Sequence, residues 1–287
     1  MVKPHGHILI ACKAHNAGAR QLADEMAAWL GQRKMAVRIA EAGASFRVDE
    51  QPDLVIIAGG DGTILGVARH FAGTAIPLLG INCGRVGFLT AAAAADWQTG
   101  LELALKGQLA NRSCLALAWL RMRDGAIINE GIAINDVVVA RGSLARLATL
   151  NLAVNGEELG SLRCDGLIIS SPLGSSGYFA SAGGAVLHPD LAAFGIAAIC
   201  PFRTEFAPLI LPGDFAACIT VNAESGDSFL TIDGQLGHEL ARREEVVVKG
   251  LPGAIHLLGT DTGYFRRLRP RATRNNSERE HTWHTKR

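Results

Sequence analysis

Apolar residues follow two different spacings along this chain. In the first part, residues 7–11, apolar after His7, read as a strand. After Asn16, residues Leu22, Met26 and Trp29 recur at helical spacing, and Gly31 supplies a stop. Residues 36–40 predict a second strand, and Leu54-Val55-Ile56-Ile57-Ala58 a third, apolar throughout as a strand covered on both faces must be. A helix after Thr63, with Ile64, Leu65, Val67, Ala68 and Phe71 on its apolar side, leads to a strand over 76–81. Strands alternating with helices predict a parallel, right-handed α/β sheet, whose ligands bind beyond the carboxyl ends of the strands.

From about Asn111 the pattern changes. Segments 113–122, 132–140, 147–154, 166–170, 217–222, 228–232, 245–249 and 254–258 are short and strand-like. Turn signals separate them, among them Asp124-Gly125, Asn155-Gly156 and Asp233-Gly234, so this half reads as mainly β. A helix over 96–105, closed by Gly107, bridges the two halves.

Composition narrows the class. The chain has 287 residues, 48% hydrophobic and 19% charged, enough for two domains with real cores. No apolar run reaches the roughly 18 residues of a membrane span. The run after the first residues is too short for a secretory signal, so a cytoplasmic enzyme is expected. Six scattered cysteines without a Cys-x-x-Cys pair read as reduced thiols. His188, His238 and His256 are not at ligand spacing, so no resident metal site is expected. Residues 266–287 hold eight of the 28 Lys and Arg but two of the 27 Asp and Glu, which leaves the tail at +6 and the body at −5. Such a tail reads either as a contact for an acidic partner or as a solvated terminus with little to bury. Neither nucleic acid nor a membrane is expected as a partner.

The chemistry starts at Gly59-Gly60-Asp61-Gly62-Thr63, directly after the buried strand. Glycines let an anion approach the main chain, so phosphate fits against the amides near Gly60 and Gly62. A carboxylate beside phosphate is repulsive unless it binds Mg²⁺ or removes a proton, which makes Asp61 a candidate for phosphoryl transfer. Closing the turn is the alternative role. Three polar stretches stand out in the second half. Asn135-Asp136 heads an apolar strand. Cys164-Asp165 leads through a strand to Ser171-Pro172-Leu173-Gly174-Ser175-Ser176-Gly177-Tyr178 and Ser181-Ala182-Gly183-Gly184, and Thr231-Ile232-Asp233-Gly234-Gln235 follows later. Hydroxyls, amides and one aromatic ring suit adenine edges and ribose hydroxyls.

Taken in order, and with Gly80-Ile81-Asn82-Cys83-Gly84-Arg85-Val86-Gly87-Phe88-Leu89-Thr90 and His188-Pro189, these motifs resemble the NAD kinases from about Leu54 to Phe265. The glycine turn alone is shared with diacylglycerol, sphingosine and phosphofructokinase relatives. The resemblance implies an N-terminal phosphofructokinase-like, Rossmann-type α/β domain (1–107) and a C-terminal β-sandwich-like dinucleotide domain (108–258). It also implies a final segment (259–287) that returns to the first domain. The implied reaction moves the γ-phosphate of ATP to the 2′-hydroxyl of the adenosine ribose of NAD, with Mg²⁺ or another divalent cation. The implied assembly is a homodimer or homotetramer whose sites are completed by a neighbouring subunit.

On this reading Asp61 is the general base, and Gly60, Gly62 and Thr63 meet phosphate. Asn135 and Asp136 hold the adenine and ribose of NAD, with capping of the strand as their alternative role. Asp165, Ser176, Gly177, Tyr178, Ser181 and Gln235 are assigned to the dinucleotide, although Tyr178 beside Phe179 also reads as packed core. Arg163 meets phosphate or solvent, and its charge favours ATP over inorganic polyphosphate. Two departures from the family pattern stand out: Leu173 replaces a threonine, and 200–208 lacks the usual His and Arg beside its prolines. The competing functions are a lipid or sugar kinase with the same turn and a dinucleotide sensor without turnover.

Overall fold

The α/β half is built around β3, whose five residues are all buried. The computed structural model describes residues 6–43, 46–49, 51–84, 87–142, 147–203, 206–223, 225, 227–259 and 268. All of residues 260–287 but Leu268, which take in the basic tail and nearly all of the segment expected to return to the first domain, and Arg85-Val86 within the second motif lie outside the described residues.

The first half contains β1 (His7–Lys13), α1 (Ala17–Gly31), β2 (Ala36–Ala42), β3 (Leu54–Ala58), α2 (Asp61–Phe71), β4 (Pro77–Asn82), the two-residue β5 (Ala92–Ala93) and α3 (Trp97–Leu105). β2, β1, β3 and β4 lie side by side and parallel. Successive residues of β3 face opposite ways, as the pleat requires. Leu54, Ile56 and Ala58 join the core under α1 and α3, while Val55 and Ile57 join the core under α2. The Asn16 side chain caps α1 by accepting from the Ala19 amide at 2.8 Å. Gly31 is the last helical residue and Gln32 the cap. α2 begins at Asp61, three residues before the expected start at Ile64, so the Asp-Gly-Thr segment is its first turn.

The second half is mainly β: β6 (Ala110–Arg123), β7 (Ala126–Ala133), β8 (Asp136–Arg141), β9 (Ala148–Val154), β10 (Glu157–Cys164), β11 (Gly166–Ser170), β12 (Ala193–Ile199), β13 (Leu209–Pro212), β14 (Ala216–Val221), β15 (Ser228–Ile232), β16 (Leu236–Leu240) and β17 (Glu245–Gly259). One sheet runs β13-β12-β11-β8-β15-β16, antiparallel throughout. The other runs β10-β9-β14-β17-β4-β3-β1-β2, with β6 added along β17, β7 along β6 and β5 along β4. Leu117, Leu150, Ile219 and Val246 of this sheet pack against Val137, Val139, Ile169 and Ile196 of the antiparallel one.

The sequence expectation of two strands at 245–249 and 254–258 is met by the single strand β17. Its register shifts between Leu251 and Ile255, where Gly253 sits at φ 71°. Beyond the shift, His256 and Leu257 pair in parallel with Pro77 and Leu78, so β17 joins the α/β sheet. The expected strand 132–140 is instead two, because the chain leaves β7 at Ala133 and enters the other sheet at Asp136. β10, β12, β13 and β16 had no counterpart among the expected strands. β10 is an edge strand with only Leu162 and Cys164 buried, which leaves little alternation to detect.

Candidate active site

Two sets of residues come together where β3 and β4 end. The first is the glycine turn. A Cβ on Gly59 would stand 2.5 Å from Thr63 Oγ1, so glycine is needed there for the chain to turn tightly. Gly60, the residue before α2, is extended (φ −95°), and a Cβ on it would meet nothing within 4 Å. Neither strain nor packing calls for glycine at 60; what its small size leaves is open space at the amino end of a helix, where free amides and the helix dipole favour an anion.

That space belongs to a cleft of about 790 Å³ between the halves. Gly60, Gly62, Thr63 and Gly66 form one wall, and Gly131 and Ile132 lie on the β6–β7 side. Among the described residues, Lys13, Arg47 and Arg69 bring three cations to its lining, against one carboxylate, Glu130. The balance suits a polyanion.

Asp61 faces the segment after β4. Its Oδ2 accepts from the Phe88 amide at 2.8 Å and its Oδ1 from the Leu89 amide at 3.1 Å. Gly87 allows this approach, since a Cβ there would stand 2.0 Å from Oδ1. A carboxylate has about four acceptor positions, so two remain for a substrate hydroxyl. The two amides fix the orientation of the group.

The second set is at the head of β8. Asn135 Oδ1 is buried and has no hydrogen-bond partner among the described residues. Such an atom is costly unless a ligand supplies a donor. The loop after β11 lies against Asn135: the Ser171 amide donates to Asn135 O at 2.8 Å, and a Cβ on Gly174 would stand 2.3 Å from that oxygen. Asp136 is next along the chain, and burial, with the neighbouring Asp233 charge second, pushes its carboxyl up to about 6.

In this loop the two adjacent aromatics part ways. Phe179 is fully buried, with Gly184 and Gly195 against its ring, while Tyr178 is 49% exposed. Tyr178 is therefore not packed core. Ser175 is buried, accepting from the Leu187 amide at 2.8 Å and donating to Pro172 O at 2.7 Å. Ser176 is half-buried, and Gly177 and Ser181 are exposed, beside Tyr178. Leu173, where the family pattern has a hydroxyl, packs against the core that holds Leu89 and Ile134. Its role is an apolar contact between the halves.

Asp165 and Arg163 are elsewhere. β11 runs antiparallel to β8 with Ser170 opposite Asp136 and Gly166 opposite Ala140. Asp165, one residue before Gly166 and five from Ser170, therefore lies a strand length, roughly 17 Å, from Asp136. It accepts from Arg141 Nε at 2.6 Å. Arg163 sits on the edge strand β10 with its guanidinium 5.7 Å from the Phe202 ring. Gln235 joins the cleft wall: its Nε2 donates to Gly62 O at 2.8 Å and its Oε1 accepts from Arg69 Nη2 at 2.5 Å.

Reading the sequence missed Arg69 and the role of Asp233. The available signal was the spacing of Gly62, Gly66 and Arg69, which puts two small residues and a cation on one helix face. Asp233-Gly234 was legible only as a turn. Among the described residues no group of three or more His, Cys, Asp or Glu is placed to hold a metal ion. No helix among them is long and apolar enough to cross a membrane.

Comparison with known proteins bears on this geometry. Residues 40–109 match the family model of the ATP-NAD kinase N-terminal domain, and residues 134–257 that of the ATP-NAD kinase C-terminal domain. The chain is 42% identical over 268 residues to the NAD kinase of Nitratidesulfovibrio vulgaris (strain Miyazaki F), covering 91% of this chain and 94% of that one. It is 36% identical to the NAD kinase of Geotalea daltonii, covering 84% and 89%. Its fold is similar to that of yeast NADH kinase complexed with NADH, with a TM-score of 0.78 at 21% identity and 98% and 91% coverage. It is also similar to that of an NAD kinase from Archaeoglobus fulgidus in complex with ATP, with a TM-score of 0.68 at 23% identity and 91% and 96% coverage.

Proposed function

The chain belongs to the ATP-NAD kinase family, and from that premise we propose that it phosphorylates the 2′-hydroxyl of the adenosine ribose of NAD with ATP, giving NADP and ADP. The observation that carries the proposal is the oriented carboxylate of Asp61 in the first turn of α2, whose Gly60, Gly62 and Thr63 line a cleft rich in cations; the buried, unpartnered amide oxygen of Asn135 at the head of β8 supports it. The cleft suits the triphosphate, and the β8 head and the loop bearing Tyr178 suit the dinucleotide.

The ribose oxygen attacks the γ-phosphorus as the bond from phosphorus to the ADP oxygen breaks, and Asp61 takes the hydroxyl proton. Amides at the start of α2 and the cleft cations Lys13 and Arg47 stabilise the charge on the transferring group. Asn135 Oδ1 accepts from the adenine amino group, Asp136 accepts from a sugar hydroxyl, and Tyr178 offers its exposed ring for stacking. Ser176, Gly177 and Ser181 line the same loop, and Thr63 stands in the first turn of α2. Mg²⁺ would enter with ATP and supply charge neutralisation on its phosphates, which leaves Asp61 to orient the hydroxyl and take its proton.

The finer reading of the architecture is a phosphofructokinase-like, Rossmann-type domain (1–107), a sandwich-like domain (108–258) and a returning segment (259–287). Asp165 and Arg163, remote from Asn135 within one chain, are proposed to meet the dinucleotide of a neighbouring subunit in a cytoplasmic homodimer or homotetramer. The test is NADP formation from NAD and Mg-ATP by the purified chain. Turnover of a lipid or sugar, or dinucleotide binding without turnover, overturns the reading.

A further inference from the structure

One buried carboxylate takes no part in the chemistry above. Asp233 and Gly234 form the turn between β15 and β16, both at positive φ (51° and 63°), and the turn folds back on the start of β8. The Asp233 side chain has no exposed surface. Its Oδ1 accepts the amides of Ile134, Asn135 and Asp136 at 3.0, 2.6 and 3.1 Å, and its Oδ2 a second contact from Ile134 at 3.1 Å. Its own amide donates to Asp136 O at 2.9 Å. These are the residues at which the chain leaves one sheet for the other.

The remaining partner comes from the other half. Arg69 Nη1 donates to Asp233 Oδ2 at 2.7 Å, and Nη2 donates to Gln235 Oε1 at 2.5 Å. Gln235 Nε2 closes the path on Gly62 O at 2.8 Å. A continuous chain of polar contacts thus runs from the first turn of α2, which bears Asp61, to the amides that set Asn135 and Asp136. A planar guanidinium reaches Asp233 and Gln235 from two separate nitrogens in a fixed geometry, which the rotating donors of an ammonium do not impose. A buried ion pair is a poor source of stability and an apolar pair often replaces it without loss, so its use here points to orientation.

We propose that Asp233 and Arg69 are positioning residues, which lock the Asn135-Asp136 end of β8 in register with α2 so that a hydroxyl held on one half meets Asp61 on the other. This rests on the kinase reading and deepens it.

The experiment compares the wild-type full chain with Arg69→Met, Asp233→Asn and the double variant. Each is first shown to be folded by circular dichroism and melting, then assayed below the lowest Tm. Arg69→Met is expected to lower kcat about 30- to 100-fold, the order of loss that follows a misplacement of about 1 Å. Its affinity for NAD, titrated directly, is expected to change less than about threefold. The double variant is expected to lose no more than the worse single one, as groups acting as a unit do. Folded variants with kcat near that of the wild type, additive losses, or a loss confined to the KM for Mg-ATP would each overturn the proposal. The last outcome would make Arg69 a direct phosphate contact. If Arg69→Met does not fold, Arg69→Lys keeps the charge without the fork, and the same fall in kcat is expected. A wild-type chain that makes no NADP overturns the kinase reading, and this proposal with it. An active wild type with unaffected variants overturns the positioning role alone.

Discussion

Replacing Asp61 by asparagine changes one oxygen to an amino group and leaves the shape of the side chain intact. The Phe88 and Leu89 amides, at 2.8 and 3.1 Å, each point at one carboxylate oxygen. Asparagine can accept only one of them, and its amino group must face the other donor. One charge-assisted hydrogen bond is lost, a cost of about 1.5–3 kcal/mol, which lowers Tm by several degrees. The catalytic loss is separate, because the amide cannot take the hydroxyl proton. Removing a general base costs about 10²–10⁴-fold in rate, or about 3–5 kcal/mol of barrier. NADP formation, followed with an NADP-specific dehydrogenase at saturating NAD and Mg-ATP, reads kcat, and thermal melting reads the stability term. A folded Asp61→Asn enzyme within about tenfold of wild-type kcat would refute the base assignment. So would a normal kcat accompanied by a raised KM for NAD, which would leave Asp61 a binding residue.

Gly60→Ala should leave Tm unchanged, since a Cβ there meets no neighbour, yet raise the KM for ATP by filling the anion space; a normal KM would remove Gly60 from the donor site. Tyr178→Ala should weaken NAD binding without lowering Tm, whereas Phe179→Ala, at a fully buried site, should cost about 3–5 kcal/mol of stability; melting curves that reversed this order would contradict the orientation of the loop. Asp136 keeps its proton up to about pH 6 in the folded chain and loses it near pH 4 when unfolded. Its contribution to stability is therefore fully present below pH 4 and is lost as pH rises through 6, by about 2–3 kcal/mol. Asp136→Asn should flatten that slope in denaturant titrations and weaken NAD binding at pH 7; an unchanged slope would show that the carboxyl is not buried as described.

Much of the first half was legible because its signals are local. The buried run of β3 and the spacing of Leu22 and Met26 each follow from the period of one element. The Asp61 motif was legible as a turn bearing a carboxylate between glycines, and the polar heads of β8 and of the loop after β11 were visible as interruptions of apolar strands. Boundaries were less accessible. The start of α2 at Asp61 depends on hydrogen bonds from Thr63 and Ile64 back to Gly60 O at 2.9 and 3.2 Å, and the break in 132–140 depends on a carboxylate near the other end of the sequence.

The amino-acid order alone thus determined many of the local elements, the division into an α/β and a β half, and a short list of chemically able residues. Tertiary structure decided how they are used. It sent Tyr178 outward and Phe179 inward, and it left Asp165 and Arg163 a strand away from Asn135. It also put Arg69 on Asp233, 164 positions apart in the chain. Periodicity reports which side of an element is buried but carries no information about which distant element covers it. That choice is made by the packing of the two sheets, and by the need of a buried charge for a partner.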